Sequence, residues 1–94
     1  MIKSFRAKSL EDCFNKKSSA GIKADLRKRV LIKLESMDAA NCLNDLKTPP
    51  SNYLHPLHGD REGYYAIRVN AEWRLVFRFE EPNCIYDVML EQYH

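Results

Sequence analysis

Residues 64–79 read YYAIRVNAEWRLVFRF, and this stretch decides the fold class. Apolar and polar side chains alternate along it, which is the pattern of two half-buried strands. These strands are predicted over Tyr64–Val69 and Trp73–Phe79. The residues between them have the length of a three-residue hairpin loop. We therefore predict an antiparallel hairpin in which Val69 lies opposite Trp73 and Arg68 lies opposite Arg74.

The chain on either side of this hairpin also has strand character. Pro82 and Asn83 mark a turn, and Cys84–Leu90 follows as a last strand whose two faces are both partly apolar. At the other end of the chain, Met1–Phe5 carries two apolar residues among polar ones and is predicted as a short first strand. The sheet is thus predicted to be mainly antiparallel.

In the chain before the hairpin, apolar residues recur at the spacing of a helix. One apolar stripe predicts a long helix. The stripe consists of Leu26, Val30, Leu34 and Met37. Ser9 and Asp12 form a capping-box pattern, which predicts a shorter helix over Leu10–Lys17. Pro49–Pro50 stops any later helix and predicts an extended approach to Tyr53. Helices followed by a meander of strands predict an α+β fold.

Length and composition limit the class of protein. A chain of 94 residues has room for one modest core, so we predict a single domain over residues 1–94. No apolar run approaches the roughly 18 to 20 residues that span a bilayer, and the start lacks the apolar core of a signal peptide. We expect a soluble, cytoplasmic protein with no membrane partner. Its three cysteines, Cys13, Cys42 and Cys84, are expected to be reduced and mostly buried.

The net charge of +2 hides a separation along the chain. Residues 1–34 hold ten Lys or Arg against three Asp or Glu, whereas residues 35–94 hold five against ten. The basic part includes Arg27, Lys28 and Lys33 on the predicted solvent side of the long helix. Such a surface attracts polyphosphates or an acidic protein. A solvated, lysine-rich helix face explains the charge equally well.

The predicted hairpin brings two like charges together. Arg68 facing Arg74 costs stability unless an anion lies between them, because like charges directly opposite each other on a sheet repel. Two sources of that anion remain open. One is an internal carboxylate, from Glu72, Asp87 or Glu91. The other is a phosphate, which the planar guanidinium group matches well.

Titratable and aromatic side chains cluster before the hairpin and at the chain end. The segment LHPLHGDREGYY contains His55, His58, Asp60, Arg61, Tyr64 and Tyr65. No Cys or carboxylate stands at a standard zinc-ligand spacing from its histidines, so we predict no metal and no cofactor. The chain ends on Tyr93 and His94. Terminal residues usually fray, but the last predicted strand delivers these two to the end of the sheet.

Three segments resemble the HigB toxins of the RelE superfamily. They are MIKSFRAKSLEDCF at the start, LHPLHGDREGYYAIRVNAEWRLVFRF from residue 54, and YDVMLEQYH at the end. The resemblance implies a RelE-like fold, in which N-terminal helices pack on a curved, mainly antiparallel sheet. It also implies a type II toxin that cuts messenger RNA on the ribosome. Its implied partner is a HigA-type antitoxin, through which the complex binds operator DNA.

The resemblance also implies roles for residues at matching positions. The implied catalytic residues are His55, Arg74, Tyr93 and His94. We add Arg68, His58, Tyr65 and Arg61 as candidate RNA-binding residues. Two positions depart from the family pattern: His58 replaces the usual Lys, and Gln92 replaces the usual Asp. Glutamine cannot act as a base, and His58 is only partly cationic at neutral pH.

These residues permit RNA cleavage without a metal ion, by attack of a ribose 2′-hydroxyl on the adjacent phosphate. The reaction needs a base, an acid and a cation. His55 and His94 are candidates for base and acid in either order, and Arg74 is the candidate cation. Tyr93 or Tyr65 is the candidate for stacking on a base. Two alternatives remain: a ParE-like toxin that binds DNA gyrase, and a non-catalytic protein-binding module.

Overall fold

The computed structural model describes residues 1–16 and 21–93, which form two α-helices and a four-stranded antiparallel sheet. The helices are α1 (Lys8–Lys16) and α2 (Arg27–Ala39), and the strands are β1 (His55–Pro56), β2 (Tyr64–Arg68), β3 (Trp73–Glu80) and β4 (Cys84–Gln92). Short 3-10 helices span Leu43–Lys47, Pro50–Asn52 and Gly59–Arg61. The strand order β1-β2-β3-β4 follows the sequence, and the α+β prediction is confirmed.

The hairpin forms in the predicted register. Arg68 pairs with Arg74 across β2 and β3, and the backbone N–H of Val69 donates to the carbonyl of Trp73 at 2.9 Å. Asn70 closes the loop, because its Oδ1 accepts the N–H groups of residues 72 and 73 at 2.8 Å each. Short Asn side chains stabilise turns in this way. β4 extends two residues beyond its predicted end and carries the chain towards the loop.

The core lies between the helices and one face of the sheet. The predicted stripe of α2 is fully buried. It packs with Leu10 of α1 against sheet residues that include Ile67, Leu75 and Phe77. We call this side of the sheet the helix face. Neither α-helix in the described part of the chain is both long and apolar enough to span a lipid bilayer.

The N-terminal expectations need two corrections. Met1–Phe5 is not a regular strand, because it touches β4 only through isolated parallel bridges from Ile2 and Phe5. Asp87 of β4, which lies between these bridges and the register shift of β4 against β3, takes a left-handed φ of 57°. α1 begins at Lys8, so Ser9 lies inside the helix and does not cap it. The predicted helix end at Lys17 lies outside the described residues.

Two further expectations were wrong. Pro49–Pro50 does not lead into an extended segment, since Pro50 starts a 3-10 turn and Tyr53 follows with a left-handed φ of 48°. Proline suits the first helical position because it has no N–H to leave unpaired. The cysteines are free thiols, but only Cys13 is buried, whereas Cys42 is exposed.

Candidate functional site

The sheet face opposite the helices carries the predicted arginine pair. Residues paired across antiparallel strands project to the same face. Arg68 pairs with Arg74, and Arg74 pairs with Glu91, so these three residues form one row across β2, β3 and β4. We call the side of the sheet that bears this row the polar face. Ala66 and Val76 lie in the next row and are fully buried.

Glu91 supplies an internal anion to the arginine row. The guanidinium of Arg74 donates to Glu91 Oε1 from Nε at 3.0 Å and from Nη2 at 2.7 Å. Arg61 donates to both carboxylate oxygens, at 3.0 and 2.8 Å. Hydrogen bonds from Arg61, then those from Arg74, hold the pKa of Glu91 below its ordinary value. The internal carboxylate is therefore the counter-charge of Arg74, but not of Arg68.

Replacing Glu91 by glutamine is expected to lower the free energy of unfolding by about 1–2 kcal/mol at neutral pH, because two guanidinium groups lose their charged acceptor. The lowered pKa of Glu91 stabilises the fold fully above the ordinary value of 4.5 and progressively less as pH falls through the folded-state pKa. Denaturant melts of both proteins between pH 3 and pH 7 (roughly the titration range of carboxyl groups) measure this. A difference that stays constant across that range would contradict the assignment.

Tyr93 joins the arginine row from the chain end. Its ring lies beside Arg74, whose Cζ is 5.3 Å from the ring centroid. The backbone N–H of Tyr93 donates to the carbonyl of Glu72 at 2.9 Å, which fixes the end of the chain to the hairpin loop. Such guanidinium–ring contacts are attractive within about 6 Å. His94 lies outside the described residues.

Arg68 contacts Tyr53, an aromatic residue that is not among the predicted site residues. Its Cζ lies 5.3 Å from the centroid of the Tyr53 ring, and its Nε donates to the carbonyl of Asn70 at 3.0 Å. Tyr53 is 59% exposed although its backbone is left-handed, a conformation that bulky residues rarely adopt. Tyr53, Arg68, Ala71 and Tyr93 line an open depression of about 350 Å³. The signal that the sequence offered was an aromatic residue three positions after the proline pair.

His55 stands at the edge of the polar face. It pairs with Ala66, two residues before Arg68 on the same strand. Its ring Nδ1 lies 2.7 Å from the carbonyl oxygen of Tyr53. Because a carbonyl can only accept, this contact places a proton on Nδ1, and Nε2 is then the acceptor nitrogen of the neutral form of the ring. His55 is therefore arranged to receive a proton at Nε2.

The structure does not bring every predicted residue to this face. Tyr65 pairs with Phe77 on the helix face, where the two rings stack with centroids 6.3 Å apart. The expectation that Tyr65 stacks on a base beside the arginines is therefore not supported by its position. His58 is exposed before the last 3-10 helix. Gln92 pairs with Trp73 and so lies on the other side of the sheet from Arg74.

Two further residues have contacts that differ from those predicted for them. Arg61 reaches the polar face but is held by Glu91, and its Nη2 also lies 3.7 Å from the sulfur of Met89. Lys33, expected on the solvent side of α2, is half-buried and donates to Asn52. In residues 1–16 and 21–93, no group of three His, Cys, Asp or Glu side chains is arranged to hold a metal ion.

Comparison with known proteins gives consistent matches along the chain. Residues 3–94 match the family model of the RelE-like toxin of type II toxin–antitoxin system HigB. The chain is 39% identical over 94 residues to Endoribonuclease HigB of Proteus vulgaris, with all of both chains covered. It is 35% identical over 80 residues to Toxin HigB-1 of Vibrio cholerae, covering 84% of each.

Solved structures show the same fold at lower identity. A chain of the heterotetrameric YoeB–YefM toxin–antitoxin complex from Staphylococcus aureus superposes with a TM-score of 0.61 at 24% identity, covering 100% of this chain and 95% of that one. YafQ from E. coli gives 0.53 at 18% identity, covering 94% and 89%. The RelE-like fold is thus confirmed. The full-length family match and the identities above show that the chain belongs to the HigB family of RelE-like toxins of type II toxin–antitoxin systems.

Proposed function

We propose that this protein is an endoribonuclease that inactivates messenger RNA on the ribosome and needs no cofactor. The observation that carries the proposal is the polar face itself, where Arg74 and Tyr93 stand in contact beside Arg68 and Tyr53. Cationic and aromatic side chains in alternation suit a single RNA strand, because the cations meet phosphates and the rings stack on bases. Family membership and the name of its Proteus vulgaris relative support the same activity.

The proposed reaction is attack of a ribose 2′-hydroxyl on the adjacent phosphate. His55 takes the hydroxyl proton at Nε2, the ring nitrogen that does not contact the carbonyl of Tyr53. Arg74 and Arg68 stabilise the negative charge that develops on the phosphate oxygens. His94 gives a proton to the leaving 5′-oxygen, which completes the bond exchange. Tyr93 and Tyr53 stack on the bases that flank the cleaved bond, a role that we do not assign to Tyr65.

The test is addition of purified protein to a translating extract. We expect messenger RNA to be cut within its translated region, and primer extension maps the new ends. Cleavage should stop when an inhibitor of initiation keeps ribosomes off the messenger, which separates ribosome-dependent cutting from attack on free RNA. Intact messenger would contradict the proposal. Inhibition of gyrase supercoiling in a parallel assay would then identify a ParE-like toxin, and no effect in either assay would identify a binding module.

We also propose a HigA-type antitoxin as the protein partner. Type II family membership and the YoeB–YefM complex among the structural neighbours support an antitoxin of some type. The complex of both proteins is proposed to bind operator DNA through the antitoxin. Co-purification with the protein encoded beside the toxin tests the pairing, and a gel-shift assay with the operator tests DNA binding. A toxin that purifies alone from cells producing both proteins would contradict the partner assignment.

A further inference from the structure

A second cleft adjoins the polar face. It lies between α2 and the loop that joins β2 to β3 and has a volume of about 470 Å³. It shares Tyr53 and Arg68 with the site described above, and α2 contributes Arg29 and Lys33. These two residues are four positions apart, so they project from the same side of the helix. We call this volume the α2 cleft.

The two arginines of the α2 cleft are fixed by the hairpin loop. Arg29 Nη1 donates to the carbonyl of Val69 at 3.3 Å. Arg68 Nε donates to the carbonyl of the following residue, Asn70, at 3.0 Å. Both guanidinium groups therefore bind the same short piece of backbone, and within the described part of the chain neither donates a second hydrogen bond. Groups held in place before binding lose less conformational freedom when a ligand arrives.

Lys33 is fixed from the opposite wall. Its ammonium group donates to Oδ1 of Asn52, which is only 1% exposed. The amide nitrogen of Asn52 donates in turn to the carbonyls of Leu46 at 3.0 Å and Thr48 at 3.3 Å. A buried asparagine with its amide fully engaged is a rigid support for the ammonium group. Lys33 is therefore a positioned cation and not a freely moving surface lysine.

Within residues 1–16 and 21–93, the cations that line the α2 cleft have no carboxylate partner, whereas two arginines of the polar face do. Arg61 and Arg74 pair with Glu91. Over the described ranges, neither Arg29 nor Lys33 nor Arg68 lies within ion-pairing distance of a carboxylate. Partial burial, and after it the positive charge of Arg29, lower the pKa of Lys33. An anion in the cleft would relieve this repulsion.

We propose that the α2 cleft binds phosphates of the same RNA strand, outside the cleaved bond. The inference rests on the proposed nuclease function and extends it to a second contact. RNA fits better than an acidic protein segment because the exposed ring of Tyr53 lines both the cleft and the depression beside Tyr93. A strand that crosses the polar face thus continues past Tyr53 directly onto Arg29 and Lys33.

The test uses a short single-stranded RNA with 2′-O-methyl riboses, which cannot be cleaved by 2′-hydroxyl attack. Fluorescence anisotropy measures its affinity over a series of salt concentrations. In the double variant Arg29→Gln/Lys33→Gln we expect binding at low salt to weaken about tenfold, as lost charge-assisted contacts do. The magnitude of the slope of log affinity against log salt should decrease by about 1.4. Each phosphate contact with a single strand contributes roughly 0.7 to this slope, and the variant loses two such contacts.

The matched control is Lys3→Gln/Lys28→Gln, which removes the same charge from exposed positions. It should leave affinity and slope close to those of the natural chain. If the double variant of the cleft melts early, Arg29→Gln alone keeps the support of Lys33 and repeats the comparison, with half the change in slope. Equal effects in cleft and control variants would overturn the inference, as would no RNA binding by the natural chain.

Two other results distinguish RNA binding in the cleft from a protein-docking role and from the proposed nuclease function. Loss of antitoxin affinity with unchanged RNA binding would make the cleft a protein-docking surface and would also overturn the inference. The proposed function is judged by cleavage in the translating extract. If the natural chain cuts messenger while cleft and control variants bind RNA equally, then the cleft inference alone fails. If no messenger is cut, the function itself is wrong.

Discussion

Replacing Arg74 by alanine is expected to slow messenger cleavage by about 10²- to 10³-fold, the usual effect of removing one fixed donor to developing charge. Two bonds to Glu91 and the ring of Tyr93 orient the Arg74 guanidinium before substrate arrives. A group oriented in advance stabilises the transition state without reorganising. The measurement is the rate of cleavage in the translating extract, with the natural chain and the variant at equal concentration.

The matched control for this variant is Arg78→Ala. Arg78 lies on the same strand but pairs with Glu80 and Asp87, so the substitution removes an equal charge away from the arginine row. It should cut messenger near the natural rate. Arg74→Ala should still fold, since Glu91 keeps its bidentate partner Arg61. Equal losses in both variants would show that only the general positive charge matters, and full activity of Arg74→Ala would refute its role.

Ending the chain at Gln92 is expected to lower cleavage by about 10²- to 10⁴-fold, the contribution of a general acid or base. The truncation removes His94, the proposed acid, and the Tyr93 ring that contacts Arg74. Stability should change little, because the ring contact contributes about 0.5–1 kcal/mol. Cleavage rate, melting temperature and antitoxin affinity are measured together, and only the first should change greatly.

The variant His94→Gln separates loss of the proposed acid from loss of the Tyr93 ring, because it keeps Tyr93 and the hydrogen bond from its backbone N–H to the loop. We expect it to lose most of the cleavage that the truncation loses. The antitoxin should bind both proteins as it binds the natural chain. A truncated chain that cuts messenger at the natural rate would mean that His94 is not the proton donor, and His55 would then be the first residue to examine.

The hairpin could be predicted because its determinants are local. Side-chain alternation assigned the faces of β2 and β3, and the loop length fixed the register that pairs Arg68 with Arg74. The same alternation also predicts the face of Tyr65, because Tyr65 and Ile67 are two residues apart on one strand and so lie on the same, apolar side of the sheet. Tyr65 was predicted to stack on a base because aromatic residues are dense in this segment, although the alternation of side chains along the strand places it on the other face.

The rest of the site depends on contacts between distant parts of the chain. The bond from Arg61 to Glu91 joins residues 30 apart, and no pattern in either segment specifies it. The charge pair predicted to need an anion was real, but the choice among three carboxylates required the register of β4. Tyr53 was missed because its position depends on a left-handed backbone after a 3-10 turn, which one sequence does not reveal.

The irregular N-terminal segment has a consequence for solubility. Exposed strand edges recruit other chains into mixed sheets, and folded proteins commonly shield them. Here the N–H groups of Ile85 and Val88 already donate to the carbonyls of Met1 and Ser4 at 2.9 and 3.2 Å. The other edge strand of the sheet, β1, is only two residues long and therefore offers little backbone for pairing. Residues 1–5 thus shield the edge of β4 from pairing with other chains, although they form no regular strand.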